Sequence, residues 1–181
     1  MSKFSNIFHP LILLMTTLFI LPACSTTASM AEKKMEIYEV HHDGRINVFY
    51  ERELYKEFLQ VGETPYRLTR IGAGPNGETV VFGLTKDDKK MKHDIPAISI
   101  FDGTQEAPSQ FYAEMRKHGR IYVFDRYSDM TTVRQFGHPN YFYTQIGSGP
   151  KGETVVYVLN KSNKKHRPDA LLDKFKKINH I

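Results

Sequence analysis

Cysteine is nearly absent from this chain: Cys24 is the only one in 181 residues. No disulfide can form within one molecule, so stability has to come from a packed core. Catalytic signatures are missing too. There is no Gly-x-Ser-x-Gly elbow and no His-Glu-x-x-His pair, so the serine-hydrolase and zinc-protease patterns are not met. The carboxylate pair Asp87-Asp88 lies in a lysine-rich stretch and reads as solvated. Long apolar runs are confined to the first residues. Leu11 to Leu21 has the length of a signal-peptide core and is too short to span a bilayer comfortably.

What the first residues do contain is an address. Lys3 gives a thin positive start, the apolar run follows, and it ends in Leu21-Pro22-Ala23-Cys24. This resembles the lipobox of bacterial lipoproteins, in which a small residue precedes a cysteine that is acylated and becomes the new N-terminus. Leu21, Ala23 and Cys24 fit that pattern, and Pro22 departs from it. The resemblance implies a signal peptide over 1–23 and an acylated Cys24. Residues 24–34 would then form a small, polar tether. It also implies a membrane anchor, since each buried CH2 of an acyl chain contributes about 0.8 kcal/mol. Ser25 lacks the Asp that retains such proteins at the inner membrane, which implies the outer membrane, facing the periplasm. The same leader also fits plain secretion with cleavage near Ala28 or Ala31. Loss of the leader removes only Lys3 among the charges, so +5 becomes +4. That mild excess fits an anionic lipid surface, an acidic glycan or simple solubility.

The rest of the chain contains one paragraph twice. Residues 44–90 and 119–165 align without a gap, and 22 of the 47 pairs are identical. A duplication on this scale governs the reading of the fold. Each copy reads as hairpin, helix, hairpin. Asp43-Gly44 and His118-Gly119 mark tight turns between alternating strands, because a type I′ turn needs positive φ at both central residues. In the first copy Leu54, Tyr55, Phe58 and Leu59 form one helix face, closed by Gly62. In the second, Tyr127, Met130 and Val133 form a poorer one, with Asp125 or Ser128 as cap and Gly137 as stop. The second hairpin runs from Tyr66 to Lys86, and from Tyr141 to Lys161. Its loop contains the turn glycines Gly74 and Gly77, or Gly149 and Gly152.

The expected architecture is therefore α+β. Two ββαββ units, 35–90 and 111–165, build antiparallel sheet about a pseudo-twofold axis, with helices packed on it. They would form either one long sheet or two sheets face to face. One face of each unit's sheet takes the helix and the other is exposed. The connecting segment 91–110 is expected to hold a short strand at Ala97 to Phe101. Residues 166–181 form a C-terminal helix with Leu171, Leu172, Phe175 and Ile178 on its apolar face.

Candidate chemistry is sparse. The loops Gly72 to Gly77 and Gly147 to Gly152 open β-branched strands rather than helices and lack a following Lys-Ser/Thr, so they read as turns and not as phosphate cradles. Arg45 with Glu78, and Arg120 with Glu153, are candidate cross-strand ion pairs. His41 and His42 are neighbours on a strand and point to opposite faces, so they do not chelate one ion together. They and His138 are the weak candidates for metal or catalysis, and no cofactor is expected. Tyr66, Tyr141 and Tyr143 are the candidate lining of a groove where the two units meet.

The resulting expectation is a lipid-anchored, non-enzymatic binding or scaffolding module. Its partners would be the membrane, through its lipid, and envelope proteins or anionic lipid or glycan, but not nucleic acid. The alternatives are a small envelope enzyme or metal-binding protein built on scattered histidines, and a structural protein that oligomerises. Three polar side chains converging in one pocket would favour the first alternative.

Overall fold

The computed structural model describes residues 34–91 and 95–181. The leader, Cys24 and the tether up to residue 33 lie outside the described residues. No described helix is long and apolar enough to cross a membrane.

Two tight hairpins open the two halves. Strand β1 (Met35–His42) turns at Asp43-Gly44 into β2 (Arg45–Phe49), and β5 (Phe111–Lys117) turns at His118-Gly119 into β6 (Arg120–Phe124). All four turn residues have positive φ, as the type I′ reading requires. Each first hairpin is followed by a ten-residue helix, α1 (Arg52–Val61) or α3 (Tyr127–Phe136). Gly62 and Gly137 end them in the left-handed conformation. The expected caps Asp125 and Ser128 are not used: Arg126 is the N-cap of α3 and makes no side-chain capping bond. The second hairpins are β3 (Tyr66–Arg70) with β4 (Thr79–Leu84), and β7 (Tyr141–Gln145) with β8 (Thr154–Leu159).

The eight strands form one sheet in the order β3-β4-β2-β1-β5-β6-β8-β7. The sheet is mixed, which corrects the antiparallel expectation. The hairpins are antiparallel, but β2–β4, β1–β5 and β6–β8 are parallel. A helix lies between each β2-type and β4-type strand, so the chain returns and pairs in parallel. The parallel registers Arg45↔Thr79 and Arg120↔Thr154 are 75 residues apart in both partners.

Both faces of the sheet are covered, where one was expected to be open. Tyr55 of α1 and Leu171, Leu172, Phe175 and Ile178 of α4 (Asp169–Asn179) pack with Tyr38, Phe49, Tyr112 and Tyr157. On the other face Met130 and Val133 of α3, with Ala97 and Ile100 of α2 (Pro96–Phe101), pack with Ile37, Ile46, Phe82 and Phe124. The segment read as a strand at Ala97 to Phe101 is thus the helix α2. Its buried residues Ala97 and Ile100 are three apart, a helical spacing, and Pro96 sits in the first turn of the helix, where its missing N–H costs nothing. Full burial of each α4 apolar side chain contributes about 1.5–3 kcal/mol. Packing on this scale holds a helix whose isolated sequence would be marginal.

Candidate functional site

Two glutamates sit at the middle of the sheet, Glu39 on β1 and Glu114 on β5, and neither is exposed to solvent. A buried carboxylate needs partners, and these two have found different ones. Glu39 meets the guanidinium of Arg134 from α3, with Nε donating to Oε1 at 3.0 Å and Nη2 to the same oxygen. His41 Nε2 lies 2.9 Å from Oε2. The Arg134 guanidinium also stacks on Phe101 and Tyr127 at 4.7 and 5.5 Å. Burial alone would raise the Glu39 pKa, but the Arg134 charge, with His41, outweighs it and brings it to about 2.

Glu114 lies on the opposite face and has no arginine against it. Tyr112 Oη donates to it at 2.7 Å and Asn179 Nδ2 at 2.8 Å, with Tyr55 Oη at 3.4 Å. Burial pushes its pKa up, and these hydrogen bonds and the more distant Arg116 only partly oppose that. Arg116 itself donates from Nε to Tyr55 Oη at 2.8 Å and from Nη1 to Glu153.

In front of this network opens a cleft of about 360 Å³. Arg52, Lys56 and Tyr55 of α1 line it, with Arg116, Asn179 and Lys151 of the loop before β8. Its apolar wall includes Tyr38, Leu59 and Ile178. Tyr38 and Tyr55 are stacked with centroids 4.5 Å apart. Glu153 fixes the loop that brings Lys151: Lys151 N–H donates to its Oε2 at 2.7 Å. A side chain at Gly149 would meet that carboxylate at 2.5 Å, so this glycine is required by close approach. Glu78 and Gly74 make the same arrangement in the first half.

The sequence-derived candidates lie elsewhere. Tyr66 is on β3 and Tyr141 and Tyr143 are on β7, the two outermost strands. They are not brought together, and the middle of the sheet is β1–β5. The parallel β2–β4 and β6–β8 pairings put the third strand of each half outside. Tyr66 instead carries Lys89 over its ring at 5.3 Å and Tyr141 carries Lys164 at 4.2 Å. His42 pairs with Asp43 at the exposed turn. His138 lies in a separate groove with Phe142, whose side chain is exposed. Among the described residues no three His, Cys, Asp or Glu side chains gather as a metal site.

The Arg45–Glu78 and Arg120–Glu153 pairs do not form: Glu78 accepts from Asn76, and the partner of Glu153 is Arg116. Asp88, read as solvated, is buried. It accepts from Tyr50 Oη and from the Thr85 N–H and hydroxyl, tying the end of β4 to the end of β2. Sequence reasoning passed over Glu39 and Glu114, and marked Arg116 only as one of the positions where the two copies differ. The available signal was a glutamate five residues before the turn glycine in both copies, flanked by Tyr38 and Val40 in one and by Ala113 and Met115 in the other.

No protein-family model matches the chain, and no curated protein or solved structure is significantly similar to it.

Proposed function

We propose that this protein is a lipid-anchored envelope protein, acylated at Cys24 and facing the periplasm. It acts as a binding module rather than an enzyme, and takes an anionic group into the cleft between α1, α4 and the 146–153 loop. The supporting observation is Arg116. Tyr55 and Glu153 hold its guanidinium at the wall of a cleft that also presents Arg52, Lys56 and Lys151. A fixed guanidinium suits a carboxylate or phosphate, and the half-buried Leu59 offers an apolar contact for the body that carries it.

Convergent polar groups were the mark expected of an enzyme, and Tyr55, Arg116 and Asn179 do converge here. None of His41, His42 or His138 lines this cleft, and the histidine that does, His180, is exposed to solvent at its rim. Glu114, the carboxyl with a raised pKa, sits wholly behind the wall. A general acid must reach its substrate, so binding fits this geometry better than catalysis.

We further infer that the two halves are copies of one ββαββ unit related by a twofold axis lying in the sheet, parallel to β1 and β5. Two observations support it: the recurrence of the parallel registers at an offset of 75 residues, and the placement of α1 and α3 on opposite faces.

The cleft is tested by titrating the protein with inorganic phosphate and with glucuronate at low salt, followed by NMR shifts. Resonances of Tyr55 and Lys151 are expected to move, and Arg116→Gln and Lys151→Ala to weaken binding roughly tenfold each. Absence of binding, or unchanged affinity in both variants, would overturn the reading.

A further inference from the structure

The strand registers sort the loops onto two ends of the sheet. Met35 lies beside Phe111, Tyr38 beside Phe49, Val48 beside Phe82, and Tyr66 opposite Leu84. The start of β1, where the N-terminal segment joins the fold, is therefore level with the ends of β4 and β8. Each of those strands runs into a basic turn. The turn after β8 carries Lys161, Lys164, Lys165 and Arg167, all exposed, and of these Arg167 pairs with Asp169. The turn after β4 carries exposed Lys86, Lys89 and Lys90. Of its two acids, Asp88 is turned inward to Tyr50 and Thr85, while Asp87 pairs with Lys90.

We propose that this end of the sheet docks on the anionic phospholipid surface to which Cys24 anchors the chain. The inference rests on the reading of Cys24 as acylated. The ten Cα-to-Cα steps from Cys24 to Lys34 reach at most about 35 Å, so the fold is kept close to the bilayer and enters through the basic end. Tyr66 and Tyr141 stand at the same end, each with a lysine over its ring. A tyrosine with a lysine stem along it suits the headgroup layer, with the ring in the apolar fringe and the ammonium among phosphates. Juxtamembrane lysines each add about a fivefold factor in binding to such a surface.

The far end also presents cations, Arg45, Lys117, Arg120 and Lys151, beside Asp43 and Glu78. The test therefore has to resolve which end faces the lipid. The unacylated Cys24→Ser chain is sedimented with vesicles of phosphatidylcholine alone and with added phosphatidylglycerol. Binding is expected only to the second, and to fall with salt. Reversal of Lys161, Lys164 and Lys165 to Glu is expected to weaken it by more than roughly tenfold, and reversal of Arg45 and Arg120 to leave it within about twofold. Equal loss in both variants, no preference for the anionic vesicles, or binding to an acidic polysaccharide in their place would overturn the proposal. Anchoring is read separately, from whether acylated wild-type chain and Cys24→Ser differ in cell fractionation, so the two readings fail independently.

Discussion

Glu39 and Glu114, 75 residues apart and each five before its turn glycine, stand on adjacent central strands with their side chains on opposite faces, one against Arg134 of α3 and the other against Asn179 of α4. One is held as a carboxylate by a cation, while the other is surrounded by neutral donors.

Removal of the cation should be severe. Arg134→Met leaves Glu39 charged and buried, and is expected to cost about 3–5 kcal/mol of unfolding free energy. The double variant Glu39→Gln/Arg134→Met should recover part of that loss. Urea unfolding of the three chains measures it, and a single variant as stable as the native chain would contradict the pairing.

Acidity should act on the two glutamates with opposite sign. Glu39 has a folded pKa below its unfolded value of about 4.3. Its contribution is complete above that value and is lost as pH falls through the folded one. Glu114 has a folded pKa above its unfolded value, so its contribution is complete below about 4.3 and is lost as pH rises through the folded pKa. Urea midpoints against pH should show Glu39→Gln losing the acid-side dependence. Glu114→Gln should flatten the decline toward neutral pH. Superimposable profiles for Glu114→Gln and the native chain would count against the raised pKa.

How much of this was legible in the sequence depends on the range of the signal. Asp43-Gly44 and His118-Gly119 announced their hairpins because a turn is specified by its own residues. Gly62 and Gly137 announced helix ends for the same reason. The Glu39–Arg134 pair spans 95 positions, and Arg134 lies on a helix with a weak apolar stripe, so nothing local pointed to it. The aromatic run at Tyr141 to Tyr143 suggested a groove between the halves. Its place on an outer strand is decided by the parallel β6–β8 pairing, which no residue of the run encodes. Ala97 to Phe101 was read as a strand because a short apolar run fits strand and buried helix alike, and Pro96 in the first helical turn was the cue not used.

Glycine substitutions should separate turn geometry from close packing. Gly44→Val forces a β-branched residue to a φ of 69°, at a cost of roughly 1–2 kcal/mol. Gly149→Ala has no such backbone problem, yet its methyl meets the Glu153 carboxylate. It is expected to destabilise less than Gly44→Val while displacing Lys151 and weakening anion binding. Calorimetry paired with the phosphate titration checks both, and a Gly149→Ala chain with native affinity would refute the coupling.

Cys24→Ser should release the protein from membranes. Fractionation of cells expressing each form reads this directly. If the variant stays wholly with the membranes and salt does not remove it, the acylation reading is wrong.

The parallel seam between β1 and β5 sets an order of assembly. A chain that emerges N-terminus first can close the β1–β2 hairpin at once, but the other edge of β1 waits for Phe111 to Arg116. Until then a strand destined for the centre of the sheet exposes unpaired backbone groups and a lone Glu39 whose cation has not emerged. Such a nascent chain is exposed to edge-to-edge association. Its exposure to such association should end only when the second half arrives.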